Sequence, residues 1–153
     1  MRKKRIMLVG PCKSGKTTLA EYLEGNPLRP VQNIAYRTCT IDTPGAYLES
    51  PWMRSHLIAA AQDASCLVMV ADATAKRDVY PPGFAHSFRV PIIGVVMKSD
   101  LPNADCQHAA VQLVRAGVPE PIYIANKYDA DALACLKKWL EQWQMKEYHK
   151  KGG

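Results

Sequence analysis

Short, continuously apolar runs alternate along the chain with stretches whose apolar residues recur at helical spacing. Residues 5–9 (Arg-Ile-Met-Leu-Val) predict a strand, and 16–23 a helix that stops at Gly25-Asn26-Pro27. A strand over 35–41 leads into Asp42, with no clear second strand before it. Over 51–63, Met53, Leu57, Ala60 and Ala61 keep helical spacing, with Ser50 as cap and Pro51 in the first position. Residues 65–71 form an unbroken apolar strand, the pattern of a parallel sheet covered on both faces. Pro81-Pro82-Gly83 makes 79–90 a loop. Beyond it come a strand over 91–97, a helix over 104–116 closed by Gly117, and a strand over 121–125. The last helix, 129–147, carries Leu133, Leu136, Leu140 and Trp143 on one stripe.

Such alternation implies right-handed β-α-β units. The expected fold is a three-layer α/β/α domain with a mostly parallel sheet, covering 1–153 as a single unit. In that architecture ligand loops lie at the carboxyl ends of the strands. The first such junction is Gly10-Pro11-Cys12-Lys13-Ser14-Gly15-Lys16-Thr17, the full G-x-x-x-x-G-K-[ST] spacing between a strand and a helix. Its glycines let successive N–H groups converge on phosphate oxygens, and the helix that follows adds its positive end. Lys16 would reach the terminal phosphates and the Thr17 hydroxyl would bind Mg²⁺; Thr18 extends the binding segment. A ligand-free glycine turn is the competing reading, and the intact spacing and flanks speak against it. The implied ligand is a nucleoside di- or triphosphate with Mg²⁺ in a P-loop NTPase domain; which purine nucleotide it takes is read from the motifs that follow.

Two further motifs fall at strand ends. Asp42-Thr43-Pro44-Gly45 offers a carboxylate for Mg²⁺ and a glycine N–H for a terminal phosphate. Alone it is only a turn signature; behind a phosphate loop it adds Asp42 as metal ligand beside Thr17, and Gly45 to the catalytic set of Lys16, Thr17 and Asp42. Met97-Lys98-Ser99-Asp100 ends the 91–97 strand. A K-x-D triplet can be a solvated turn, but at this place the Asp100 carboxylate can accept both donors of a guanine edge while the Lys98 stem covers the ring. Adenine offers no such donor pair and leaves the acceptor unsatisfied.

With these motifs in order, the chain resembles small GTPase-like proteins of the translation-factor-related class. It is most similar to the EutP/PduV family of ethanolamine- and propanediol-utilisation bacterial microcompartments. The likeness runs through I-D-T-P-G-x-Y-L-E-S at 41–50, L-I-A-A-A-Q-D-A at 57–64, P-P-G-F at 81–84, V-P-I-I-G-V-V-M-K-S-D-L at 90–101 and G-V-P-E-P-I at 117–122. It implies that Asn126 and Lys127 form the last base-contacting loop. It implies GTP or GDP binding, slow hydrolysis, and a role as switch or assembly factor beside a shell or cargo protein. It also implies an alternative, ATP-dependent acetate kinase, with Arg29, Arg37, Arg54 and His56 as candidates to hold the acceptor carboxylate. A nucleotide-stabilised scaffold is the third reading.

The departures from the pattern concern mechanism. Only 26 positions separate Lys16 from Asp42, so the second-strand and switch region is short. Pro30-Val31-Gln32-Asn33 stands where relatives carry a Mg²⁺-binding Thr, while Thr38 and Thr40 look committed to the strand. Ala46 follows D-T-P-G where a water-orienting Gln is usual, so hydrolysis should be slow. Met97 replaces a polar residue that tethers the base loop to the phosphate loop.

Composition narrows the rest. The net charge of +6 comes entirely from Arg2-Lys3-Lys4-Arg5 and from Lys146, Lys150 and Lys151 against Glu147; residues 6–145 hold thirteen basic and thirteen acidic side chains. A basic groove for nucleic acid is therefore not expected. The five cysteines form no C-x-x-C pair and the histidines no ligand spacing, which points to a reducing compartment and no zinc site. The first apolar run is too short for a signal peptide and no run is long enough for a membrane span, so a cytoplasmic location is expected. Cys12 is a spacer or a redox-sensitive thiol. Tyr80 to Phe84 could dock a partner or pack on the domain itself, as could the Trp139 and Trp143 stripe.

Overall fold

The structure, a computed structural model, describes residues 4–29 and 31–152, with 143–152 as helix backbone alone. Pro30, the leading basic residues before Lys4, and the side chains of Trp143 and the C-terminal lysines lie outside that description. In chain order the elements are β1 (Arg5–Val9), α1 (Lys16–Glu24), β2 (Ala35–Tyr36), β3 (Thr40–Asp42), α2 (Gly45–Glu49) and α3 (Arg54–Ala61). They continue with β4 (Ala64–Asp72), β5 (Ile92–Met97), α4 (Cys106–Arg115), β6 (Tyr123–Ile124) and α5 (Ala130–Gly152).

The six strands form one sheet in the order β2-β3-β1-β4-β5-β6, parallel except for β2. Alternation along the strands sends side chains to two cores. Met7, Val9, Leu67 and Met69 meet Leu48, Leu57, Ala109 and Leu113 on one face. Ile6, Leu8, Cys66, Val68 and Val70 meet Leu19, Leu23, Leu133, Leu136 and Leu140 on the other. The central strands are therefore apolar throughout, because neither face sees water. Each buried Leu or Ile contributes about 1.5–3 kcal/mol of transfer free energy, so β1 and β4 are the rigid base from which the loops project.

Several expectations are corrected. The strand expected over 35–41 is a hairpin: β2 pairs antiparallel with β3 in the register Ala35↔Asp42 and Tyr36↔Ile41. Arg37 N–H donates to Thr40 O at 2.8 Å to close its turn. A second strand therefore exists, two residues long. Thr38 is exposed in the turn rather than held in a strand, whereas Thr40 is committed, its Oγ1 donating to Glu24 Oε2 at 2.7 Å. The helix expected over 51–63 is broken into a 3-10 turn at Pro51–Met53 followed by α3, and Ser50 makes no side-chain cap. Helix α2 was not expected at all. The 79–90 loop contains a 3-10 turn at Phe84–Ser87. Tyr80 and Phe84 are buried and their rings stack 5.7 Å apart, so this segment packs on its own domain and does not offer its aromatics to a partner. Among the described residues no helix is long and apolar enough to cross a membrane.

Candidate functional site

The phosphate loop leaves β1 at Val9 and enters α1 at Lys16. Gly15 sits at the N-cap of α1 with φ 97°, a left-handed conformation that favours glycine. A Cβ there would also lie 2.9 Å from Met97 Cβ, so the end of β5 packs directly under the loop. Lys13 is left-handed as well (φ 62°), an unusual state for a residue with a Cβ. A cavity of about 470 Å³ is lined by residues 11–18 together with Val31, Asp42, Pro44, Gly45 and Lys98. The structure thus brings Lys16, Thr17, Asp42 and Gly45 to one place. Gly10 supports the loop from behind: a Cβ on it would stand 2.8 Å from Ser14 Oγ and 3.1 Å from Val70 O.

Inside this cavity Lys16 is almost fully buried. Its ammonium donates to Thr43 O and stands 3.4 Å from Asp42 Oδ1. The Asp42 carboxylate is itself buried, and its other oxygen lies 3.5 Å from Arg37 Nη2. Two cations therefore share one carboxylate, which a buried charge requires. Thr43 Oγ1 donates to Leu8 O at 2.8 Å and pins the D-T-P-G turn to β1. Gly45 comes so close to the phosphate loop that a Cβ would meet Cys12 N at 2.3 Å. Only glycine fits there.

A carboxylate and a hydroxyl on the wall of one cavity are hard oxygen donors of the kind Mg²⁺ takes. Among the described residues no cluster of three or more His, Cys, Asp or Glu could hold a metal alone. Thr17 and Asp42 fit Mg²⁺ in the way that ion prefers, with one carboxylate and the remaining positions left to phosphate and water.

Beside the first cavity a second, of about 170 Å³, is lined by Gly15, Thr18, Met97, Lys98, Asp100, Leu101 and Lys127. Gly15, Thr18 and Lys98 belong to both, so the two form a continuous trough. Lys98 also has a left-handed backbone (φ 66°), and its ammonium donates to Lys13 O. This contact ties base loop to phosphate loop and does the work expected of a polar residue at Met97; Met97 instead supplies the apolar floor. Asn126 does not line the trough. Its Nδ2 donates to Ser99 Oγ at 3.1 Å and its Oδ1 accepts from Tyr128 N–H at 2.9 Å, so it braces the loop after β6 against the loop after β5. Lys127 does line it, with its ammonium 4.9 Å from the Tyr128 ring centroid.

Sequence reasoning missed Asp72. At the end of β4 its Oδ1 accepts from Thr74 N–H (2.8 Å) and Thr74 Oγ1 (2.7 Å), and its Oδ2 lies 3.2 Å from Lys98 Nζ. Burial raises the Asp72 carboxyl, but the Thr74 bonds and the Lys98 ammonium outweigh it and hold the group below the ordinary carboxylate range. Tyr80 was missed too: its hydroxyl bridges Val70 O (2.8 Å) and Val9 O (3.2 Å), clamping the ends of β1 and β4 just below the loop, and burial drives its ionisation far upward. Cys12 is exposed at the cavity wall, whereas burial pushes the Cys66 thiol up to about 12.

Comparison with known proteins agrees with this geometry. Residues 3–142 match the family model PduV-EutP, described as ethanolamine utilisation and propanediol utilisation. The propanediol utilization protein PduV of Citrobacter freundii is 42% identical over 100 residues, 64% of this chain and 67% of that protein. The probable acetate kinase EutP of Salmonella typhimurium is 35% identical over 157 residues, 95% of this chain and 99% of that protein. Among solved structures, a probable GTP-binding protein engB superposes with a TM-score of 0.67 at 21% identity, covering 93% of this chain and 99% of that one. The bacterial selenocysteine-specific elongation factor EF-Sec gives 0.66 at 19% identity, covering 95% and 29%.

Proposed function

The chain belongs to the PduV–EutP family of ethanolamine- and propanediol-utilisation proteins, and on that premise we propose that it is a Mg²⁺-dependent, guanine-preferring nucleotide-binding protein that hydrolyses GTP slowly. The observation that carries this reading is the continuous trough with a buried Lys16 and Asp42 at one end and an Asp100 carboxylate at the other. In it Lys16 and the loop N–H groups neutralise the polyphosphate, and Asp100 accepts from the base edge. Bound Mg²⁺, held by Thr17 and Asp42, supplies further charge neutralisation at the phosphates. Ala46 gives the attacking water no hydrogen bond, so turnover is slow and suited to a switch or assembly factor whose partner is a microcompartment shell or cargo protein.

The name of the EutP relatives raises acetate-kinase activity and ATP as alternatives. Two of the cations nominated for an acceptor carboxylate are already engaged in the fold: Arg37 on Asp42, and Arg54 through Nε on Leu48 O at 3.1 Å. The His56 ring packs against that of Tyr47, tilted by 54° with centroids 5.9 Å apart. GTP hydrolysis is therefore the preferred reading. The test is a panel of GTP, GDP, ATP and ADP affinities with Mg²⁺, plus turnover with and without acetate. Tighter GDP than ADP with acetate-independent phosphate release supports the proposal. Acetyl phosphate formed from ATP overturns it.

A further inference from the structure

The wall of the site formed by D-T-P-G holds a carboxylate that no motif assigns. Helix α2 starts at Gly45, and Glu49 follows Ala46 by three residues, one helical turn, so the two share a face. Ala46 has only a methyl group to offer. Glu49 Oε1 instead reaches the phosphate loop and accepts from Cys12 N–H at 3.2 Å. Cys12, Pro44 and Gly45 all line the phosphate cavity, and the close approach of Gly45 to Cys12 N fixes α2 against that edge. An exposed acceptor oxygen is thereby held against Cys12, a residue of the cavity lining, on the element that carries the glycine expected at the terminal phosphate.

We propose that Glu49 is the residue that orients the attacking water, taking the role that Ala46 cannot fill. This rests on the GTPase reading above. The Glu49 carboxylate accepts a hydrogen bond from water and turns the water's lone pair toward the terminal phosphorus. The new bond forms between water oxygen and that phosphorus as the bond to the bridging oxygen breaks. The bridging electron pair leaves on the β-phosphate of GDP, and the water's proton passes to the released inorganic phosphate. Nothing is oxidised or reduced. A carboxylate suits this task because it is acceptor-only and can hold water without competing as a donor.

The test is single-turnover hydrolysis by wild type, Glu49→Gln and Glu49→Ala, with GTP and GDP affinities measured separately. The expected result is a loss of about 100-fold in rate for Glu49→Ala and a rate within about tenfold of wild type for Glu49→Gln, whose amide oxygen still accepts from water. GTP and GDP affinities, which both variants touch through the Cys12 N–H contact, should shift together. A Glu49→Ala rate within about twofold of wild type overturns the proposal, as does a wild type that binds GTP yet hydrolyses it no faster than GTP alone in buffer. Unchanged turnover with GTP affinity raised over GDP would make Glu49 a group that repels the terminal phosphate, and also overturns it. If wild type takes up no nucleotide, the GTPase reading itself has failed, an outcome distinguishable from the others by the affinity measurement alone.

Discussion

Lys98 Nζ lies 3.2 Å from Asp72 Oδ2 while donating to the Lys13 carbonyl, so one ammonium joins the end of β4, the base loop and the phosphate loop. The trough is shaped by this three-way junction as much as by the glycines. Removing the carboxylate should loosen both loops together. Asp72→Asn is expected to cost about 1–2 kcal/mol, the scale of a charge-assisted hydrogen bond, and to weaken nucleotide binding without altering the choice of base. Urea unfolding and a nucleotide titration check the two halves.

The same carboxylate gives a pH signature. Its ionisation is lowered in the folded protein, so the unfolded state binds the proton more tightly. Its contribution is present above the ordinary Asp value of about 3.9 and is lost as pH falls through the lower folded value. Unfolding midpoints measured from pH 6 down to about 3 should fall more steeply for wild type than for Asp72→Asn. Parallel curves would contradict the assignment.

Arg37 and Lys16 share Asp42, the carboxylate proposed to help hold Mg²⁺. Arg37→Gln should destabilise the protein by about 1 kcal/mol, since the pair is only partly shielded from water. It should also lower the Mg²⁺ concentration needed to support nucleotide binding, because a competing cation is gone. Calorimetric titration of Mg²⁺ into protein with nucleotide measures the second effect. A rise in the required Mg²⁺ would mean that Arg37 assists the site.

Asp100 is exposed at the rim of the smaller cavity, where the proposed base would lie. Asp100→Ala is expected to weaken guanine nucleotides by about 10- to 100-fold, the cost of an unpaired donor pair, and adenine nucleotides far less. Competition binding with GDP and ADP reads the difference. Equal losses would reduce Asp100 to a turn residue.

Gly15 combines a left-handed backbone with an approach to Met97. Gly15→Ala should cost about 1–3 kcal/mol. Adding Met97→Gly, which removes the Cβ that the new methyl group would meet, should recover the part due to contact and leave the part due to φ. A double-mutant cycle on thermal unfolding separates them; strict additivity would show that the contact carries no energy.

Much of this was legible in the chain. Strands β1, β4 and β5 announce themselves because both faces are buried, and the loop spacing at 10–17 places Lys16 and Thr17 without ambiguity. The turn at Arg37, Thr38 and Cys39 has no Gly, Pro or Asn, so an apolar run read as one strand turned out to be two. Helix α2 is too short to set up a period, which hid the placement of Glu49. Asp72 looks like any strand-ending turn residue until the fold brings Lys98 to it across 26 positions. Asn126 lies in the loop after β6, where its side chain is spent on Ser99 and Tyr128, a choice made by tertiary contacts that no local pattern encodes.

Lys13 and Lys98 both hold a backbone shape that side-chain-bearing residues rarely adopt, and they face each other across the trough. A ligand arriving there meets chain already bent to receive it, so the entropy of ordering those segments is borne by folding and not by association. Retention of the ligand then tracks the firmness of the sheet beneath: substitutions deep in β1 or β4, far from any phosphate, would register as faster release well before the molecule melts.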